Sequence, residues 1–448
     1  MPIGQEPIIT MPFNDLYLLA INITKRCNLA CEHCYLDADT LQNGGSDELS
    51  TDEVKGVLQQ VASRGKQTMV VLTGGEPLTR TDLETIIQYG TELGLTIVVG
   101  TNGLLLTQSR VKRLKEAGAL GIGISIDSLQ NNYHDRFRGV KGSLDKTLKG
   151  LEHCREQELS FQIHFTVTAK NKYELGDIFQ FAQDKGARVV NIFFLICTGR
   201  AESNSDLSPL EYEQVIKEIL IAQQDYPDMI IRPRCAPHYK RIAYEMSPDS
   251  PINRISGMDG DGCIAGSHYC RIAPNGDVTP CPYIEQACGN IRRKDFLSIW
   301  DNSTALNALR QPQLKGACGE CEFQELCGGC RARPVSMGGD LLDADPFCTY
   351  VPEGGPVIQA YQAPEIEMAW SEDAQQRLSR IPGFIQAMVK KRAEAYVQEL
   401  GENQVTSLHM KELMAKRFGK NAPSPPVFIK NSIFKGDVLK NIRDKHHD

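Results

Sequence analysis

Short apolar runs alternate with longer amphipathic stretches through the first half of the chain. Met69-Val70-Val71-Leu72 is one run, closed by glycines on its C-terminal side. Residues 96–103, 121–128, 162–168 and 189–195 hold others, rich in Val, Ile and Phe. Runs of that length and β-branched content predict buried strands. Between them, residues 51–63, 108–117, 143–157 and 174–185 carry apolar positions at helical spacing. Strands that alternate with helices predict a parallel sheet with right-handed crossovers, so the fold class is α/β. Polar residues gather where the strands end; Asn102, Ser125, Asp127 and Thr166 are examples. In βα-barrels that end of the sheet is where sites are built.

Downstream the pattern loosens. Asn275-Gly276 between apolar flanks predicts a small hairpin. Residues 351–365, from Val351-Pro352-Glu353-Gly354-Gly355-Pro356 to Ala363-Pro364, read as a linker. A helical module is expected over 366–419. Ser371 would cap its first helix, with Glu372 and Asp373 in the first turn. Ile381-Pro382-Gly383-Phe384 breaks that helix. Phe384, Met388 and Val389 begin a second, stopped at Gly401, and residues 407–417 form a third. Residues 420–448 show little periodicity and read as a flexible tail, with His446 and His447 in solvent.

Composition narrows the field. At 41% apolar and 23% charged, 448 residues suffice for a sizeable core. A net charge of −7 argues against a nucleic-acid surface. The charge is uneven: from Trp370 onward 14 Lys/Arg oppose 9 Asp/Glu, a local +5, which leaves −12 on residues 1–369. Neither a signal peptide nor an apolar span of about twenty residues is visible, so a cytoplasmic protein without a membrane span is expected.

Fifteen cysteines in such a chain call for metal before disulfides. Cys27, Cys31 and Cys34 are spaced C-x3-C-x2-C on one loop, with Tyr35 directly after. Three thiolates can hold three irons of a [4Fe–4S] cube and leave the fourth open, whereas an electron-transfer cluster uses four cysteines. An open iron can chelate a cofactor. Thr73-Gly74-Gly75-Glu76-Pro77 follows the first apolar run named above. Its glycines let backbone approach a ligand closely, and the Glu76 carboxylate can accept hydrogen bonds from an ammonium group. A second cysteine field has the core Cys318-x2-Cys321-x5-Cys327-x2-Cys330, then Cys348, with Cys263, Cys270 and Cys281 upstream. A zinc loop or zinc ribbon is the competing metal reading for both fields. Cys154 falls in a helical pattern and is expected in the core.

The three-cysteine loop followed by Gly74-Gly75-Glu76-Pro77 resembles the radical S-adenosylmethionine (SAM) superfamily. The resemblance implies a partial (βα)6 barrel over residues 15–230. It implies that Cys27, Cys31 and Cys34 are catalytic and hold a [4Fe–4S] cluster whose open iron takes the amino and carboxylate groups of SAM. One electron then cleaves SAM to a 5′-deoxyadenosyl radical. Gly74, Gly75, Glu76 and Pro77 would hold the SAM amino group. Tyr35, Asn102, Ser125, Asp127 and Thr166 are further candidates for the cofactor pocket, and Arg138 for the SAM carboxylate. Backbone around Cys197-Thr198-Gly199-Arg200 would line the adenine.

The second field is similar to a SPASM domain, here residues 231–350, with one or two auxiliary iron–sulfur clusters. By that resemblance Cys318, Cys321, Cys327 and Cys348 hold the outer cluster, and Cys263, Cys270, Cys281 and Cys330 the inner one. Cys327 and Cys330 are separated by two residues where three are usual, and Cys288 lies near. The inner set therefore stays open to revision: it can lack a cysteine or be a smaller cluster.

Residues 15–350 further resemble the haem d1 and alternative haem biosynthesis branch. Gly328-Gly329-Cys330-Arg331-Ala332-Arg333 and Arg234-Cys235-Ala236-Pro237-His238-Tyr239 carry that resemblance. The module from Trp370 is similar to the C-terminal helical domain of light-independent protochlorophyllide reductase. Together they imply an oxidoreductase- or lyase-type enzyme acting on a propionate side chain of a tetrapyrrole. Arg232, Arg234, Lys240 and Arg241 would clamp carboxylates, and Cys235 or His238 would touch a substrate iron. An electron donor such as ferredoxin or flavodoxin is expected. Two other classes compete: a maturase acting on a ribosomal precursor peptide, and a non-enzymatic iron–sulfur carrier. The open-iron motif beside Glu76 argues against the carrier.

Overall fold

The computed structural model describes residues 16–40, 47–65, 68–203, 207–248, 262–358 and, with short interruptions between 380 and 399, 368–418. In chain order its first strands are β1 (Leu18–Thr24), β2 (Arg26–Cys27), β3 (Asp39–Thr40), β4 (Met69–Gly74), β5 (Thr96–Thr101) and β6 (Gly121–Ser125). Then come β7 (Phe161–Val167), β8 (Val189–Phe194), β9 (Ile230–Arg234), β10 (Tyr269–Ile272), β11 (Asp277–Thr279) and β12 (Gly289–Asn290). Ten of them form one sheet, ordered β12-β11-β10-β1-β4-β5-β6-β7-β8-β9. Pairing is parallel from β10 through β9 and antiparallel only in the β10-β11-β12 meander. The cysteine-rich half of the chain thus lays its hairpin directly on the first barrel strand.

The helices up to residue 246 are α1 (Thr51–Arg64), α2 (Leu83–Glu92), α3 (Gln108–Glu116), α4 (Asn131–Arg138), α5 (Ser143–Glu156), α6 (Leu175–Lys185), α7 (Pro209–Asp225) and α8 (Tyr239–Met246). The helical spacings seen in the sequence become α1, α3, α5 and α6. Ser50 and Glu53 close a reciprocal capping box on α1, as Ser208 and Glu211 do on α7. The hydrophobic pattern hides α4, because only His134, Phe137 and Arg138 of its eight residues are buried.

Side chains alternate across the sheet. Leu19, Ile21, Ile23, Val70, Leu72, Ile97, Val99, Ile122, Ile124, Ile163, Phe165, Val190 and Ile192 pack with α1, α2 and their neighbours into one core. The other face turns inward and carries the polar strand residues: Asn22, Gln162, His164, Thr166, Asn191, Arg232, Arg234 and Arg271 alternate with the core positions. Gly123 makes room on that face, since a Cβ there would strike the His164 ring.

The C-terminal module has its own small core of Ala374, Ala393, Val397, Val405 and Met410. Ala369–Trp370 pairs with Gln404–Val405, and Glu372–Ser379 and Ser407–Phe418 are helical. Trp370 Nε1 donates to Glu394 at 2.9 Å. Phe384, Met388, linker residues 359–365 and the 420–448 tail lie outside the described residues.

Candidate active site and cysteine centres

Cys27 ends the short strand β2, and Cys31 and Cys34 follow on the loop at the C-terminal end of the sheet. Their sulfurs are met by donors: Leu29 N–H to Cys27 Sγ at 3.4 Å, Ala38 N–H to Cys34 Sγ at 3.4 Å, Arg138 Nη1 to Cys31 Sγ at 3.8 Å. Donors of that kind favour thiolate, the form that binds iron. Without metal, burial pushes the Cys27 thiol up to about 12. The loop backbone is docked on the end of α4, through Ala30 N–H to Arg138 O at 3.2 Å and Glu32 N–H to Phe137 O at 2.9 Å. Gly139 permits this: it is left-handed at φ 74°, and a Cβ would collide with Ala30 O. The sequence held no explicit signal for a second fastener. Arg200 Nε donates to Cys31 O at 3.0 Å, and its Nη1 to Ala38 O at 3.0 Å and Asp37 Oδ1 at 2.9 Å. The Thr198-Gly199-Arg200 segment therefore grips the cluster loop with a side chain; its expected adenine-lining part was backbone only.

The glycines of the Gly74-Gly75-Glu76-Pro77 turn serve a different close approach from the one expected. A Cβ on Gly74 would strike Thr24 O and one on Gly75 would strike Arg26 O, so the room they leave is filled by the chain entering the cysteine loop. Gly75 and Glu76 N–H then bond Thr24 O and Arg26 O, both at 2.8 Å. Pro77 opens the following 3-10 turn. Glu76 is fully buried and accepts from Leu78 N–H (3.0 Å), Thr101 Oγ1 (2.7 Å) and Asn102 N–H (2.8 Å). Burial still holds its carboxyl above the usual range, and no ion pair reaches it among the described residues. An ammonium group fits that deficit.

Asn102 Nδ2 donates to Asn28 Oδ1 at 2.7 Å and approaches Cys27 Sγ at 4.0 Å, which ties β5 to the cysteine loop. Ser125 and Thr166 are half-buried at the ends of β6 and β7. Asp127 is buried and accepts the Thr166 N–H at 2.8 Å. Its other oxygen lies 2.5 Å from Arg138 Nη2. Arg138 is thus held by an internal carboxylate and a cysteine sulfur, and only its buried Nε lacks a partner. The Tyr35 hydroxyl accepts from Asn22 Nδ2 at 2.9 Å, and its ring meets Tyr283 edge-on at 5.4 Å.

The inward face continues as a linked row. Asn191 Nδ2 donates to Gln162 Oε1 at 2.8 Å, and Arg234 Nε donates to Asn191 Oδ1 at 3.1 Å. Burial first, then Arg234 and Arg138, hold His164 down to about 4. Arg271, missed in the sequence, is 8% exposed; its Nη1 donates to Pro282 O at 3.1 Å, its Nε is unbonded, and no carboxylate pairs with it among the described residues. Of the other expected clamps, Arg241 is consumed by Glu245 and Glu213, and Lys240 is wholly buried on α8.

Cys318, Cys321, Cys327 and Cys348 line one cavity of about 50 Å³ together with His238, Arg241 and Asp345. His238 lies 3.5 Å from Asp345 and packs on Tyr212, inside this wall. The other cysteines divide unexpectedly. Cys281 and Cys330 share an apolar cluster with Cys235, and Gly262, next to Cys263, is tied to Leu326 O at 3.2 Å in the segment that leads to Cys330. Cys270 is elsewhere: it pairs with Leu19, points to the helix-side core and faces Cys288. Between the two groups sits Asp345, also missed in the sequence. It accepts Cys330 N–H at 2.7 Å, its own N–H meets Cys318 Sγ at 3.5 Å, and Arg333 pairs with it at 3.1 Å. Among the described residues no three His, Cys, Asp or Glu side chains converge as a single bound ion would require. Cys154 is in the core, as its helical spacing implied.

The chain matches three family models: the radical SAM superfamily over residues 21–182, an iron–sulfur cluster-binding domain (SPASM) over 263–322, and the proto-chlorophyllide reductase 57 kD subunit over 370–413. It is 39% identical to the AdoMet-dependent heme synthase of Methanosarcina barkeri over 341 residues, covering 75% of this chain and 97% of that one. It is 29% identical to the pre-heme d1 synthase of Dinoroseobacter shibae, covering 73% and 84%. Among solved structures, Streptococcus suis SuiB bound to the precursor peptide SuiA superposes with a TM-score of 0.63 at 18% identity, over 75% of this chain and 76% of that one. That likeness concerns the fold. The residues present suit an open [4Fe–4S] cluster and SAM, and the chain belongs to the radical SAM superfamily, with an auxiliary-cluster SPASM domain behind its parallel α/β core.

Proposed function

We propose that this enzyme modifies a tetrapyrrole at a propionate side chain, by removal or oxidation. The observation that carries the reading is the 39% identity extending over 97% of an AdoMet-dependent heme synthase. The inward face suits such a substrate. Arg232, Arg234 and Arg271 stand on it, and guanidinium groups recognise carboxylates with two parallel bonds. Arg271, buried and without an acid, has the greatest need of one. Cys27, Cys31 and Cys34 would hold the cluster that binds SAM, which, given one electron, would supply a 5′-deoxyadenosyl radical for hydrogen abstraction. The chain's own residues position: Glu76 takes the SAM ammonium, and Arg138, locked by Asp127, keeps its one unpartnered nitrogen, Nε, for the SAM carboxylate. Asn102, Ser125, Thr166 and Tyr35 complete the pocket wall. Arg200 and α4 hold the loop still.

Cys318, Cys321, Cys327 and Cys348 hold the outer auxiliary cluster; Cys263, Cys281 and Cys330 belong to the inner one. A ferredoxin or flavodoxin delivers electrons. The cytoplasm suits fifteen cysteines without a disulfide, and no described helix is long and apolar enough to cross a membrane. The C-terminal module adds tetrapyrrole affinity.

The test uses tetrapyrroles deuterated at the propionates, with reduced enzyme and SAM. Deuterium should appear in 5′-deoxyadenosine. Transfer from no tetrapyrrole tried, alongside transfer from a labelled peptide, would replace this reading with a peptide maturase.

A further inference from the structure

The inner cysteine group joins the two ends of the open sheet. β9 is the last strand at one edge, and Cys235 follows it directly. Toward the other edge Cys281 comes two residues after β11, the strand beside the edge strand β12. These two sulfurs share one apolar cluster with Cys330, walled by Ile196, Ile284 and Tyr283. Cys263 is brought to the segment leading to Cys330 by its neighbour Gly262, whose N–H donates to Leu326 O at 3.2 Å. We infer that Cys235, with Cys263, Cys281 and Cys330, completes the inner iron–sulfur cluster, and that Cys270 is a core residue. The inner cluster is then closed by four thiolates and staples the two edges of the sheet together.

Two observations independent of proximity support Cys235. Among the described residues it is one of three non-glycines with positive φ, at 60°. That conformation costs free energy in a residue with a Cβ and persists where surroundings impose it. The surroundings do so here: its carbonyl accepts from Tyr212 OH at 3.1 Å and Arg333 Nη2 at 3.3 Å. Those are the same Arg333 that pairs with Asp345 and the Tyr212 on which that guanidinium stacks at 4.7 Å. The left-handed turn directs the chain off the strand and delivers the sulfur to Cys281 and Cys330. The second observation excludes Cys270. Strand parity puts it on the face of Leu19 and Ile21, opposite the flanking Tyr269 and Arg271, and it is fully buried among apolar groups. Reaching the other three sulfurs would require the strand to slip by one residue, which would turn Ile272 inward as well.

The inference rests on the auxiliary-cluster reading, and the experiment separates the two. The full chain carrying Cys27→Ala, Cys31→Ala and Cys34→Ala is reconstituted, so that only auxiliary clusters remain. Cys235→Ala or Cys270→Ala is then added. A cluster with four thiolates resists mild oxidation, whereas one with three sheds its open iron and shows a three-iron EPR signal. The expected result is about eight irons and no such signal in the background. Cys235→Ala should give about one three-iron centre per chain, or lose about four irons, while Cys270→Ala matches the background. Cys235→Ser keeps an oxygen ligand, so it should retain the irons but shift the inner cluster's EPR spectrum. Background iron near zero would overturn the auxiliary-cluster reading itself. Retained iron with the effects of Cys235→Ala and Cys270→Ala exchanged would overturn only the assignment of Cys235.

Discussion

Glu76 carries a carboxylate into a place with three neutral donors and no ion pair among the described residues. A hydrogen bond to a charged group is worth about 1.5–3 kcal/mol. Glu76→Gln should therefore weaken SAM binding about 10- to 100-fold, read by anaerobic equilibrium dialysis; unchanged affinity would leave the ammonium without its partner. Arg200 acts differently, through the cluster loop rather than the ligand. Arg200→Ala removes its bonds to Cys31 O, Ala38 O and Asp37. Iron should leave the three-cysteine site several-fold faster under chelator, with SAM affinity of the loaded fraction little changed. His164 sets a pH limit. Burial keeps it neutral, with its value held down to about 4 against 6.5 for the free side chain. The stability it contributes is complete above pH 6.5 and is lost as pH falls toward about 4, at roughly 1.4 kcal/mol per unit. His164→Gln should flatten the fall in melting temperature across that window. An unchanged slope would assign it to the other buried histidines.

At the scale of elements, β4 to β8 were legible because each is an apolar run rich in β-branched or aromatic residues; β9 was not, because Arg232, Pro233 and Arg234 interrupt its apolar run. α4 was not, because its job is to present backbone: its last carbonyls hold Ala30 and Glu32, so its sequence needs few apolar residues. The open-iron motif was legible as spacing, since three cysteines and Gly74-Gly75-Glu76-Pro77 are local. The inner cysteine set was not, because its members come from far ends of the strand order and only the curl of the open sheet brings Cys235 to Cys281. Strand parity did contain the warning about Cys270: it alternates in step with Ile272, and Arg271 with Tyr269. Gly139 shows how an element boundary controls the site. Gly139→Ala asks for a Cβ at φ 74°, where Ala30 O already sits. The α4 end and the cysteine loop would separate, and iron content should fall by about four per chain while the auxiliary clusters remain.

Across the whole molecule, positive charge and a second core are displaced to the C-terminal end. The module's core of Ala374, Ala393, Val397, Val405 and Met410 is distinct from the barrel's. The +5 from Trp370 onward stands apart from the −12 of the preceding chain. Propionates are anionic, so a cationic module raises local tetrapyrrole concentration and speeds encounter, an effect that salt screens. Deleting residues 364–448 should therefore leave iron content and SAM cleavage without substrate intact, because the barrel packs without it. Tetrapyrrole affinity should fall about tenfold at low salt, and the difference between full-length and truncated enzyme should shrink as ionic strength rises past the point where the screening length is about 8 Å. Fluorescence-quenching titrations of both forms across a salt series decide it. Equal affinities at every salt concentration would mean that the module docks another protein, and that the Arg232, Arg234 and Arg271 face holds the substrate alone.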